Sequence, residues 1–270
     1  MALLQPAAGK RGGPAVVGHC VADHPLDNSV RSALLGAHAP LARTRGRAAR
    51  YRTDVSPFAA LPLDATEDDW ADLAALVGPD EEIALTTVAP RPVPASWRQT
   101  FALPGVQMDG SGLDVAPDPE AVVLGEADVP EMLDLVARTR PGPFRTHTRL
   151  MGTYLGIRRD GALVAMAGER LRPPGWTEIS AVCTDPAFRG QGLATRLVRA
   201  VGAVIRDRGD VPFLHAAADN TGAIRLYEQI GFTLRARPHF TALRFTGPEA
   251  PVPGADRDRE RTPAAPGPVG

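Results

Sequence analysis

Lysine is almost missing from this chain. Of 30 basic residues among 270, only Lys10 is not arginine. The arginines scatter over the whole length, which fits a codon bias better than a dedicated anion-binding surface, although guanidinium forks do suit phosphates and carboxylates. Cysteine is scarce as well. Cys20 and Cys183 are far apart, which excludes a disulfide framework and a zinc site built from four cysteines. A reducing, cytoplasmic compartment is the natural expectation. No run approaches the ~18 consecutive apolar residues of a membrane span, so no membrane partner is expected. Residues 1–22 have no sustained apolar stretch and do not read as a secretory signal. A net charge of −1 excludes the strongly basic domain usual for nucleic-acid binding.

What is present suits a packed α/β protein. Apolar residues make up 44% and charged residues 23%, near the averages for globular chains. Gly and Pro, 27 each, gather at the ends and in connections. Residues 1–22 read as a disordered leader and 248–270, with a charge run from Asp256 to Arg261, as a disordered tail. Between them the pattern divides at a Gly-rich linker around Gly110–Pro119. Residues 23–112 read as a small N-terminal α/β domain. Thr66 caps an acidic first turn and an amphipathic helix, Glu82–Val88 is a strand, and Pro94–Arg98 opens another short helix. Residues 120–247 read as β-α-β-β-β-α-β-α-β, a mixed sheet flanked by helices. In its longest helix, Leu193, Leu197, Val201 and Ile205 recur at four-residue spacing.

The stretch from Val182 to Thr195 carries the chemistry. Strand residues Val182, Cys183 and Thr184 lead through Arg189, Gly190, Gln191 and Gly192 into a helix starting with Leu193, Ala194 and Thr195. Unpaired backbone N–H groups at the positive end of a helix suit a pyrophosphate. Two glycines let the backbone approach it, and Arg189 adds a fixed charge. Alone, such a turn is also an ordinary β–α connection. No Gly-Lys-Ser/Thr follows, so it is not a nucleoside-triphosphate loop, and the Gly-x-Gly-x-x-Gly spacing of dinucleotide folds fails.

Arg189-x-x-Gly192-x-Ala194 resembles the acetyl-CoA loop of the GNAT N-acetyltransferase superfamily. The segment Asn220 to Phe232, with Ala223, Tyr227 and Gly231, resembles its second signature. The likeness covers about residues 120–247 and is nearest to the glycine N-acyltransferase-like group, which would make the N-terminal portion a degenerate companion domain. It implies a GNAT-like sheet, acetyl-CoA as acyl donor, and a small-molecule or peptide amine as acceptor. The chain would act as a monomer or homodimer.

The resemblance also implies roles. Backbone groups of Val182–Thr184 would pair with the pantetheine arm as an added strand, leaving Cys183 as a small strand residue rather than a nucleophile. Tyr227 is the expected general acid toward the departing thiolate, and a core tyrosine is the bland alternative. Glu178 is the expected base, with Glu169 as runner-up and His215 more a strand residue than a base. Asn220 caps its helix and touches the cofactor. Arg145 or Arg149, between the first helix of this portion and the following strand, would hold an acceptor carboxylate, with a solvated basic turn as an equal alternative. A non-catalytic acyl-CoA sensor or partner-binding module is the competing reading.

Overall fold

The structure, a computed structural model, describes residues 24–78, 80–88 and 91–247. The expected leader and tail lie outside the described residues. Among the described residues twelve strands and five α-helices follow in order: α1 (Ser29–Leu34), β1 (Ala42–Arg45), β2 (Ala48–Tyr51), β3 (Ala59–Ala60), α2 (Glu67–Leu76), β4 (Glu82–Thr87), β5 (Trp97–Asp109), β6 (Val122–Val123), α3 (Val129–Thr139), β7 (Tyr154–Arg159), β8 (Ala162–Glu169), β9 (Trp176–Thr184), α4 (Leu193–Asp207), β10 (Val211–Ala217), α5 (Thr221–Gln229), β11 (Thr233–Ala236) and β12 (His239–Phe245). Strands β1 to β3 form a small antiparallel sheet, and the large mixed sheet runs β4-β12-β5-β10-β9-β8-β7-β6, with β11 also on β5.

Two helices sandwich the centre of the large sheet. Helix α4 turns Leu193, Leu197, Val201 and Ile205 into a fully buried stripe, packed with Leu155, Ile157, Val164 and Ile179. The sheet's other face meets Met132 and Leu135 of α3 through Tyr154, Leu163, Met166 and Cys183. Adjacent residues Tyr154 and Leu155 thus serve opposite layers, as the two-residue period of a strand requires.

One element differs from the sequence expectation. Pro94–Arg98 makes a single turn, with Trp97 N–H donating to the Pro94 carbonyl at 2.9 Å, and then extends into the thirteen-residue strand β5. Tertiary pairing overrides the local turn signal. Trp97 is buried between Trp70 and Phe245, which anchors the strand. From Trp97 to Pro104, β5 pairs with β12. From Gly105 to Asp109 it pairs with β10, and over Gln107–Asp109 with β11 on its other edge. Gly105 has no side chain because the Phe240 ring occupies that space. A strand from the N-terminal portion therefore lies inside the same sheet as β7 to β10. A second core cluster joins Leu26, Val30, Leu34, Tyr51 and Phe58 to Met151, Leu171 and Phe213.

Helix α5 ends where its sequence says it should. Gly231 follows the cap at Ile230 and has φ +106°, the left-handed conformation favoured at that position. A Cβ there would overlap the backbone carbonyl oxygen of Gly112. Gly231→Ala is expected to cost about 1–3 kcal/mol from backbone strain, read from the urea midpoint. An unchanged midpoint would show that the turn relaxes freely.

Candidate functional site

The site begins where two parallel strands part. β9 and β10 pair only over Trp176–Ile179 and Val211–Leu214. Beyond that point β9 stays with β8 through Thr184, while residues His215–Ala217 of β10 pair with Gly105–Gln107 of β5. The β8–β9 register shifts between Gly168 and Met166, where β9 spends one more residue than β8, as in a β-bulge. Ala181 lies inside that bulge at φ +53°, a conformation that costs a non-glycine residue energy. The edge of β9 from Ser180 to Thr184 that faces β10 has no strand partner among the described residues.

A cleft of about 1070 Å³ fills this fork. Ser180–Thr184, His215–Ala217, Asn220 and Tyr227 form its inner walls, and the Arg189–Thr195 loop closes one end. Phe58, Phe101, Phe144 and Phe240 line the other end, with Arg145 and Arg170.

The loop has the backbone geometry its glycines suggested. Gly190 and Gly192 take φ +78° and +72°, and a Cβ at either would meet nothing within 4 Å. They are therefore needed for conformation rather than for lack of room. None of the backbone N–H groups from Gly190 to Thr195 has an acceptor among the described residues. They gather at the N-terminus of α4, where the helix dipole is positive. Arg189 is exposed beside them, its Nε donating weakly to the Thr184 carbonyl at 3.4 Å. Gln191 lies on the loop but outside the cleft wall. Asn220 caps α5, its Oδ1 accepting from Ala223 N–H at 3.2 Å.

The other expected site residues separate. Val182, Cys183, Thr184, Leu193, Ala194, Thr195, Asn220 and Tyr227 are all on the wall. Tyr227 is buried, its ring 5.8 Å from that of Phe232, and burial pushes its phenol up to about 12. Burial likewise pushes the Cys183 thiol up to about 11, which keeps it protonated and unreactive. Arg145 lines the cleft and donates to the Thr53 carbonyl, whereas Arg149 is not on the wall. Glu169 is elsewhere, its carboxylate accepting from Arg208 at 3.1 Å and from Thr153 N–H at 3.2 Å.

Glu178 lies just behind the wall, with 0% of its side chain exposed. Arg170 donates to both of its oxygens, at 2.8 and 2.6 Å, and His215 Nδ1 sits 2.7 Å from Oε1. Burial alone would raise this carboxyl, but the Arg170 guanidinium, helped by His215, outweighs it and holds the group at about 2. So weak a base takes a proton from an amine only if the pair opens. Sequence reasoning did not find Arg170, which comes from the turn after β8, stacks its guanidinium 5.0 Å from the Phe58 ring centre and reaches the cleft beside His215. The only sequence signal for it was one arginine among many.

A family model described as "FR47-like protein" matches residues 154–241. A solved structure described as a putative acetyltransferase from the GNAT family of Novosphingobium aromaticivorans is 43% identical, with a TM-score of 0.77, over 83% of this chain and 99% of that one. Among curated proteins, the N-alpha-acetyltransferase RimI of Mycobacterium tuberculosis is 39% identical over 82 residues, 29% of this chain and 51% of that protein. A mycothiol acetyltransferase of Thermobispora bispora is 46% identical over 57 residues, 21% of this chain and 19% of that protein. The chain thus spans about half the length of the first of these curated relatives and less of the second.

The Arg170–Glu178 pair makes a stability prediction. Because the folded Glu178 carboxyl sits near 2, below the ordinary glutamate value of about 4.3, the pair stabilises the fold fully above that ordinary value. The contribution fades as pH falls from there to about 2. Glu178→Gln leaves a buried guanidinium without a counter-charge and should cost about 3–5 kcal/mol at pH 7. Urea titrations at pH 7 and pH 3 should show the gap between wild type and variant narrowing in acid. Equal stability at pH 7 would remove the pair from any central place in the fold.

Proposed function

Since the chain belongs to the GNAT family, we propose that it is an acetyl-CoA-dependent N-acetyltransferase acting in the cytoplasm on a primary amine. The observation that carries this reading is the row of unpaired amides from Gly190 to Thr195 beside the unpaired edge of β9. The amides suit a pyrophosphate, and the strand edge suits an amide-bearing arm that adds to it as a strand. The cleft continues past the fork to its aromatic end, so a thioester lying at the fork is open to an acceptor from the other side. The finer assignment to the glycine N-acyltransferase-like group draws support from the two signatures and from an N-terminal portion built onto the same sheet.

In this reading the neutral amine attacks the thioester carbonyl. A C–N bond forms, the carbonyl oxygen gains charge, and collapse breaks the C–S bond. The nitrogen loses one proton and the departing sulfur gains one. Tyr227 is the group we assign to the sulfur. Its phenol stays protonated through the physiological range because burial holds it near 12, so it is always in the donating form. Glu178 supports the acceptor side from behind the wall through its contact with His215, and while its pair with Arg170 stays closed the proton lost by the amine leaves to solvent. Phe58, Phe101, Phe144 and Phe240 with half-buried Arg145 suit an acceptor with an apolar body, and Arg145 can hold a carboxylate on it.

The scarcity of a ready base on the wall favours one other reading, an acyl-CoA-binding sensor without turnover. Thiol release from acetyl-CoA in the presence of a panel of small amines and peptide N-termini separates the two. The enzyme reading expects release with some acceptor, and Tyr227→Phe should lower kcat by about a hundredfold, the smaller end for general acid catalysis, with the KM for acetyl-CoA little changed. Cofactor binding with no thiol release across the panel would leave the sensor.

A further inference from the structure

His215 sits at the fork inside a chain of largely shielded hydrogen bonds whose directions are fixed by chemistry. Arg235 can only donate. Its Nη2 is 2.6 Å from Asp27 and its Nη1 is 2.7 Å from Gln107 Oε1. The Gln107 Nε2 is 3.0 Å from the Leu26 carbonyl oxygen, which can only accept. These two contacts orient the amide, oxygen toward Arg235 and nitrogen toward Leu26. The same nitrogen is 3.0 Å from His215 Nε2. An amide NH2 can only donate there, so that ring nitrogen must be bare. The ring's single proton is then on Nδ1, which faces the Glu178 carboxylate at 2.7 Å, and Arg170 holds that carboxylate ionised.

We propose that Gln107 is a positioning residue of the acyl-transfer site: it locks His215 in the Nδ1–H tautomer and keeps an imidazolium out of the fork. The kinetic half of this rests on the acetyltransferase reading, while the tautomer does not. A second ring proton would set Nε2–H against the Gln107 NH2, donor against donor. It would also add an unbalanced charge, because Asp27 with Arg235 and Glu178 with Arg170 already cancel. The other neighbours supply no relief. Phe213 on β10 and Phe240 on β12 stand nearly perpendicular to the imidazole, their ring centres 5.6 and 5.7 Å away, and carry no counter-charge. Tyr51 on β2 and Tyr154 on β7, near the Arg170–Glu178 pair, are phenols raised by burial and therefore uncharged. A neutral ring matters because the attacking nitrogen turns positive as its bond to carbon forms, and a like charge beside it would oppose that step.

Long-range proton–nitrogen NMR spectra of the full chain with 15N-labelled histidine test the assignment, with His215→Asn identifying the resonance. The wild-type ring should show a protonated Nδ1 and a bare Nε2 at pH 7. In Gln107→Glu the new carboxylate accepts from Nε2, so the ring should carry both protons at pH 7. The variant's kcat/KM should then fall about tenfold at pH 7, as when roughly one ring in ten stays neutral, and recover as pH rises. A wild-type ring protonated on Nε2 at pH 7, alone or together with Nδ1, overturns the proposal even if the variant does not fold. So does a doubly protonated ring in Gln107→Glu with a wild-type pH profile. An Nδ1–H ring in a chain that shows no transfer with any amine overturns the acetyltransferase reading and the positioning role, and leaves only the tautomer.

Discussion

The parting of β9 and β10 is the constraint around which the rest of this molecule is arranged. Parallel strands are ordinarily paired along their length, and an unpaired edge inside a protein leaves backbone groups without partners. Here pairing stops at Ile179 and Leu214. Two devices hold the strands apart. The bulge at Ala181 turns β9 away while preserving its bonds to β8, and β5 offers the departing end of β10 a different partner. The N-terminus of α4 follows directly from the open edge of β9, so one short stretch of chain presents an unpaired strand and an unpaired helix end to the same cleft.

Holding the fork open has an electrostatic side. Arg170, Glu178, His215 and Gln107 are removed from water close to the point of divergence. Ion pairs so placed give little net stability, because desolvation offsets attraction, but breaking one is costly. Their value lies in direction. Each member has one geometry that satisfies its neighbours, and together they tie Asp27 and Leu26 of the N-terminal portion to the wall of the cleft. The N-terminal portion thus contributes to the site twice, through β5 as a strand and through this network as a support. It contributes a third time at the aromatic end, through Phe58 and Phe101.

Much of the C-terminal half could be read from sequence because its signals are local. The four-residue stripe of α4, the helix stop at Gly231, the cap at Asn220 and the paired glycines before α4 each depend on neighbours within a few residues. The fork did not show in the same way. The resemblance implied a strand edge at Val182–Thr184, but nothing local says that β10 leaves β9 for a strand more than 100 residues earlier. Pro94–Arg98 read as the start of a short helix but makes only one turn before β5, because the β12 partner that extends it lies far along the chain. Glu178 was singled out as a carboxylate at a telling position. What governs its chemistry is Arg170 eight residues away and His215 on the neighbouring strand, which appear only once the sheet is assembled. Gln107 carried no signal at all, since a lone glutamine in a strand is unremarkable until the amide's three contacts are known.

The central claim is that the open edge of β9 and the start of α4 form one ligand-binding surface. Hydrogen–deuterium exchange with and without acetyl-CoA addresses it most directly. The account predicts that added acetyl-CoA slows exchange at the amides of residues 181–184 and 190–195 together, with little change along the distant strands β1 to β3. Protection confined to some other part of the cleft, or exchange in both segments indifferent to saturating acetyl-CoA, would contradict it.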